Sequence, residues 1–335
     1  MKQYSVALVG TGAVGSTILE ILEERNFPVK SLKLLATSRS AGKKVEFKGQ
    51  AYEIEETTAD SFNGMDLVFF AGGKASQLFA KEAVARGAVV IDNGSTFRLD
   101  PEVPLVVPEV NPEDVKKHKG IIANPNCSTI IMVVALKPLY DAAGIKRVIV
   151  STYQAVSGAG QEAMDELLQQ TEALAAGREV TPKAFPYQIA YNLIPHIDVF
   201  MDNGYTREEM KMVHETRKML HDDQLAISAT TVRVPVLRSH SEAVTVETEK
   251  KLTAAEAREI LAKAPGIVVT DDPAELKYPM PIMASHRDEV FVGRIREDLA
   301  IENGLSMFVV ADQLRKGAAT NAVQIAELLI DYNLI

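Results

Sequence analysis

The chain has 335 residues, 47% hydrophobic and 24% charged, with a net charge of −9 at neutral pH; it is long enough for a large buried core and has the composition of a globular protein. The acidic balance argues against nucleic acid, whose phosphates need a basic face, and against an anionic membrane surface. A single cysteine excludes an intrachain disulfide and suits a reducing compartment. No apolar run nears the roughly 18 residues that cross a bilayer, so the cytoplasm is the expected location.

In chain order, Ser5–Val9 reads as a strand. Ala13–Glu24 follows as a helix with Val14, Ile18, Ile21 and Leu22 on one side. Strands are expected at Leu32–Ala36, Leu67–Phe70, Ala88–Ile91 and Ile121–Ala123, with a helix at Ala75–Arg86. Strand–helix alternation of this kind predicts a doubly wound parallel sheet. After residue 127 the character changes. Lys146–Gln154 and Thr231–Val236 are β-branched, and Glu242–Glu249 alternates apolar with polar, which suggests a mixed or antiparallel sheet. Gln161–Ala176 has a helical period, and Thr181–Asp198, with three prolines, reads as an irregular segment suited to an interface or a cleft. Ala318–Ile330 is again helical and is expected back on the first domain. The second domain is then an insertion: 1–127 with 314–335 form one domain and 128–313 the other. No repeat or low-complexity tract interrupts this order.

Two local patterns carry chemistry. Gly10-Thr11-Gly12-Ala13-Val14-Gly15 matches G-x-G-x-x-G between a strand and a helix, where the glycines let helix N–H groups hold a pyrophosphate. The second strand then ends in Ala36-Thr37-Ser38-Arg39, without the carboxylate that takes a free ribose 2′-hydroxyl. Ser38 and Arg39 suit a 2′-phosphate instead, so NADP is the expected cofactor; a solvated basic loop is the plainer alternative. The other pattern is Asn126-Cys127-Ser128, between the strand at 121–123 and a helix expected to start at Ser128-Thr129. A thiol there feels the positive end of a helix, which favours thiolate. A lone cysteine is also readable as a small buried hydrophobe. No histidine, cysteine or carboxylate cluster has metal-ligand spacing, so no metal is expected.

Further polar clusters decide between these readings. Asn93-Gly94-Ser95-Thr96-Phe97-Arg98, Pro104–Asn111 (Pro-Leu-Val-Val-Pro-Glu-Val-Asn), Asn126-Cys127-Ser128 and Gln154-Ala155-Val156-Ser157-Gly158-Ala159-Gly160 occur in this order. With Glu208 to Lys211 and Arg233 through His240, they make the chain resemble the aspartate-semialdehyde dehydrogenases over nearly its whole length. The resemblance implies an α/β protein: a Rossmann-type doubly wound parallel sheet plus an inserted α+β catalytic and dimerisation domain. It implies reversible, NADP-dependent reductive dephosphorylation of L-4-aspartyl phosphate to the semialdehyde and phosphate, through a cysteine thioester, in lysine, methionine and threonine biosynthesis. By the same resemblance Cys127 is the nucleophile and His240 an acid/base that takes the thiol proton near its ordinary pKa. Arg233 would bind the substrate carboxylate, Glu208 its ammonium, and Gln154 would orient it. Lys211, Arg98 and Asn126 would lie around the phosphate or oxyanion. Ser157, Gly158 and Gln313 would meet the nicotinamide half of the cofactor, and Gly10, Thr11, Gly12, Ala13, Val14, Ser38 and Arg39 the remainder. The other five histidines match no catalytic position.

The rivals are another acyl-phosphate reductase, such as one acting on N-acetylglutamyl phosphate, and a non-catalytic NADP-binding sensor. The first would place its cysteine in Gly-Cys-Tyr, and the second would have lost Cys127, His240 or Arg233. A glyceraldehyde-3-phosphate dehydrogenase would show Ser-Cys-Thr-Thr. A homodimer or homotetramer formed through the second domain is the expected assembly.

Overall fold

A computed structural model describes residues 2–335. The chain divides into two compact units, residues 1–126 with 318–335 and residues 127–317. Cys127 and residues 314–317 thus belong to the second unit, not to the first as the sequence reading placed them.

The first unit is built on a seven-stranded sheet. Its strands are β1 (Tyr4–Val9), β2 (Val29–Ala36), β3 (Lys44–Phe47), β4 (Gln50–Glu56), β5 (Leu67–Phe70), β6 (Val89–Asp92) and β7 (Ile121–Ala123), with helices α1 (Ala13–Glu24) and α2 (Ala75–Ala85) between them. The order is β3-β4-β2-β1-β5-β6-β7, parallel except for the β3–β4 hairpin. Strands β5 and β6 are buried at every position, as a sheet covered on both faces requires. Ile18, Ile21 and Leu22 of α1 are fully buried in its core; each such side chain contributes about 1.5–3 kcal/mol. The hairpin escaped sequence reading because its alternation is weak. Its turn, Lys48-Gly49, takes positive φ at both residues (49° and 73°), the pairing that suits a two-residue hairpin.

The chain runs to one side of β1 through β2 and β4, then returns to the other side at β5. The loop after β1 therefore lies at the switch point where open α/β sheets bind ligands. Gly10 takes φ 97° there, and a Cβ on Gly15 would lie 1.9 Å from the Gly10 carbonyl oxygen. Only glycine closes this turn.

The second unit begins with α3 (Cys127–Ala143), followed by β8 (Ile145–Gln154), α4 (Gln161–Ala175), α5 (Arg207–Leu220), β9 (Ala226–Arg233), β10 (His240–Thr248), α6 (Ala254–Lys263), β11 (Ile267–Val269), the short α7 (Pro281–Ala284), β12 (Val290–Glu297) and β13 (Gly304–Ala311). The strands form a mixed sheet, β11-β12-β13-β10-β8-β9. Helix α3 covers one face of β8, β10, β12 and β13, and α5 lies on β9. From Val148 onward the even-numbered residues of β8, and all those of β10, are buried toward these helices. Odd-numbered ones such as Ile149 and Tyr153 are exposed on the opposite face. The strand expected at 231–236 ends at Arg233, because Pro235 has no N–H to extend a ladder and Val236 N turns back to the Val234 carbonyl. The last helix, α8 (Thr320–Asp331), returns to the first unit and packs on α1 and β6.

Candidate active site

Helix α3 opens at Cys127 itself, one residue earlier than the sequence suggested, so the thiol sits on the first turn. Gly317 lies against it: a Cβ there would be 3.1 Å from the Cys127 Cβ. Opposite the helix, three strands present one row of side chains. Gln154 pairs in register with Arg233 of β9, and its neighbour Tyr153 pairs with Ser241 of β10, which puts His240 beside Gln154. Arg233, Gln154 and His240 are all nearly inaccessible.

Cys127 Sγ lies 3.5 Å from His240 Nε2, and Gln154 Nε2 is also 3.5 Å from that nitrogen. The other ring nitrogen, Nδ1, accepts a hydrogen bond from the Ala155 backbone N–H at 3.1 Å. A neutral ring so held carries its proton on Nε2, facing the sulfur. Burial, helped by the Arg233 guanidinium, keeps the imidazole well below its ordinary pKa. In this arrangement His240 Nε2–H points toward Sγ, and the imidazole lies below, rather than near, the ordinary pKa that the resemblance implies.

The row continues into α5. Gln154 Nε2 donates to Glu208 Oε1 at 3.1 Å, and Lys211 Nζ donates to Glu208 Oε2 at 3.0 Å and to Asp198 Oδ2 at 2.8 Å. Burial lowers the lysine pKa, but Glu208 and Asp198 outweigh it and the net shift is upward. The capping box of Thr206 with Glu209 fixes this first turn of α5. Arg233 is locked by a bond from Nη1 to the Ala155 carbonyl at 2.6 Å, and by a two-way backbone bridge to Ile194 in the irregular segment. Burial lowers its pKa, opposed by Glu208 and Cys127. Gly158 belongs to the same cluster; a Cβ on it would meet Arg233 Nη1 at 3.0 Å and His240 Cε1 at 3.1 Å. Gln313 joins through two bonds: its amide donates to Ser157 Oγ, and its oxygen accepts from Ser239 N at 2.8 Å. Ser239 holds a left-handed φ of 74° immediately before His240.

Nine predicted residues thus converge in the second unit: Cys127, Gln154, Ser157, Gly158, Glu208, Lys211, Arg233, His240 and Gln313. The others lie in the first unit and are described there. Arg98 is buried, its Nε and Nη2 donating to the carbonyls of Asn124 and Asn93. Asn126 is buried. Gly12 caps α1 without a side-chain bond, and the first turn of α1, including Ala13 and Val14, carries no acidic residue to oppose an anion. This cradle fits a pyrophosphate. Ser38 and Arg39 are exposed in the turn after β2, and Arg39 makes no hydrogen bond or ion pair among the described residues.

Sequence reasoning missed Asp198 and Gly317. Asp198 gave no signal because its partner Lys211 comes from another element. Gly317 resembled any loop glycine. Among the described residues no group of three or more His, Cys, Asp or Glu could hold a metal ion, and no helix is long and apolar enough to cross a membrane.

Comparison with known proteins gives the same picture. The family model "Semialdehyde dehydrogenase, NAD binding domain" matches residues 5–118, and "Semialdehyde dehydrogenase, dimerisation domain" matches residues 136–316. The chain is 61% identical to aspartate-semialdehyde dehydrogenase of Aquifex aeolicus, over 99% of both chains. It superposes on aspartate semialdehyde dehydrogenase II of Vibrio cholerae complexed with ASA at a TM-score of 0.96, with 49% identity over 99% of each chain. The NADP-bound enzyme of Candida albicans is more distant: TM-score 0.76 and 26% identity over the full length of both chains.

Proposed function

The chain belongs to the aspartate-semialdehyde dehydrogenase family, oxidoreductases of aspartate-family amino-acid biosynthesis, and we propose that Cys127 and His240 carry its chemistry with NADP as cofactor. The observation that supports this most is the Cys127–His240 contact at the head of α3.

Cys127 thiolate attacks the acyl carbon of aspartyl phosphate. The C–O bond to phosphate breaks, and the one proton consumed overall ends on the departing phosphate. The resulting thioester is a better hydride acceptor than a carboxylate, and bound NADPH supplies that hydride. The thiohemiacetal oxyanion then re-forms its carbonyl and expels the thiolate. No net proton passes through His240 in this sequence. Its Nε2–H donates to the sulfur and to each oxyanion, a preorganised electrostatic role. Arg233 takes the substrate carboxylate with its planar fork, Glu208 takes the ammonium, and Gln154 orients the acyl group. Lys211, Arg98 and Asn126 serve the phosphate, and Ser157, Gly158 and Gln313 the nicotinamide half of the cofactor.

The direct test mixes enzyme, semialdehyde, phosphate and either NADP or NAD while following reduced-cofactor absorbance. Turnover that needs phosphate and prefers NADP supports the reading; phosphate-independent turnover sinks it. Gly10, Thr11, Gly12, Ala13 and Val14 fit the pyrophosphate, and Ser38 and Arg39 fit the 2′-phosphate. Arg39→Ala should therefore raise the Michaelis constant for NADP about tenfold with little change in kcat, as for loss of one charge-assisted bond. If neither NADP nor NAD usage changes, Arg39 does not read the phosphate.

The dimerisation domain carries the exposed apolar face of the second sheet, including Ile149, Tyr153 and the ring of Phe308 packed 6.2 Å from Tyr153. We assign this face to a homodimer, as the whole assembly or within a tetramer. Sedimentation at increasing concentration should show at least a dimer, and a concentration-independent monomer would refute it. A catalytic cysteine held in no disulfide suits a reducing location such as the cytoplasm.

A further inference from the structure

Directly beneath the row Arg233–Gln154–His240 lies a second row on the same face, two residues further along each strand. Glu242 of β10 pairs in register with Thr152 of β8, which pairs with Thr231 of β9. Both Glu242 oxygens and Thr231 Oγ1 are fully buried and have no hydrogen-bond partner among the described residues. The same holds for Ser128 Oγ, one residue past Cys127 on α3, and for Thr216 Oγ1 on α5. Helix α3 packs on β8, β10 and α5, and α5 packs on β9, so the helices carrying these two hydroxyls lie over the strands of the row.

Buried polar groups in folded proteins are paired, and where no protein partner exists an internal water supplies it. One unpaired hydroxyl is ordinary; a carboxyl and three hydroxyls set on packed elements call for internal solvent as their partner. Burial also holds the Glu242 carboxyl well above the usual carboxylate range, so it offers both an O–H donor and an oxygen acceptor. A neutral acid here is compatible with a neutral imidazole two residues away, whereas a carboxylate would draw a proton onto it.

We propose that this second row anchors internal water, bound at Glu242 and reaching the Thr231, Ser128 and Thr216 hydroxyls through one or more molecules, and that Glu242 is thereby a positioning residue for the catalytic row above. The two rows are already linked: Thr152 Oγ1 donates to Gln154 Oε1 at 3.0 Å, and Gln154 reaches both His240 and Glu208. Water fixing Glu242 beside Thr152 sets the floor on which Gln154 and His240 stand. Only the positioning half rests on the Cys127–His240 reading.

A crystal structure of the protein resolving ordered solvent is the first test. It should show water within hydrogen-bond distance of Glu242 and at least one of the three hydroxyls. Glu242 paired directly to protein with no such water would overturn the proposal. Kinetics are the second test. Glu242→Gln keeps a donor and an acceptor, so it should retain the water and stay within about threefold of the parent kcat. Glu242→Leu has neither; it should lose the water and lower kcat roughly tenfold, with both Michaelis constants within about twofold. Parental kcat in Glu242→Leu, or a change confined to the Michaelis constants, contradicts the positioning role. Should Glu242→Leu fail to fold, the solvent density and the behaviour of Glu242→Gln still decide. If Cys127→Ala kept turnover, the catalytic reading would fail while the water site stood on its own density.

Discussion

Cys127→Ala is expected to lose phosphate-dependent turnover by at least about 10⁴-fold while keeping its fold. The substitution removes a single heavy atom from a partly exposed residue, leaves the first turn of α3 intact and creates little cavity, so a folding defect is not expected to confuse the result. Cys127→Ser asks the sharper question. A free thiol near pKa 8.5 lies about 1.5 units above neutrality, roughly 2 kcal/mol, and a helix N-terminus with a nearby guanidinium can supply an effect of that order. A hydroxyl ionises far higher, close to water itself, which leaves a deficit several times larger at neutral pH. Neither the end of α3 nor Arg233 can offset that. Steady-state assays should find the serine variant almost as inactive as alanine; a serine enzyme within tenfold of parent would mean that the nucleophile is elsewhere.

His240→Ala is expected to lower kcat by about 10²–10³, the cost of one preorganised donor to a developing oxyanion. It also strands the Ala155 N–H, so a loss of about 1–3 kcal/mol in stability should accompany it. His240→Gln, which keeps an N–H donor, should recover part of the rate; a general base would not be replaced by an amide. The pH dependence separates the two roles further. The folded ring stays neutral well below 6.5, so its working form is present above that low value and is lost only as acid protonates Nδ1 and expels the Ala155 N–H. The unfolded chain takes the proton near 6.5, so the stability associated with this group is complete above 6.5 and falls as pH drops below it. The acid limb of kcat/KM due to His240 should therefore lie clearly below 6.5. A limb centred at 6.5 and abolished in His240→Ala would restore histidine as an ordinary base.

The parts of the molecule legible in sequence were those decided locally. The turn from Gly10 to Gly15, the apolar runs of β1 and β5, and the face of α1 follow from chain periodicity and glycine geometry. The position of Cys127 at a helix start was legible for the same reason. The row Arg233–Gln154–His240 was not. It depends on register between β8, β9 and β10, whose residues lie up to 86 positions apart. Residue identities could be carried over by resemblance, but not the geometry that holds the His240 ring. That geometry rests on one backbone N–H from Ala155, which no side chain announces. The end of β9 at Arg233, and the use of an irregular segment to bridge it through Ile194, likewise followed from Pro235 and pairing partners distant in sequence.

The central claim is tested most directly by running the oxidative half-reaction without its acceptor. Enzyme mixed with semialdehyde and NADP in the absence of phosphate should form one equivalent of reduced cofactor. Peptide mass spectrometry after acid quench should then find a single aspartyl adduct on Cys127, released when phosphate is added to an unquenched sample. Reduced cofactor without an adduct, or an adduct on any other residue, would contradict the account.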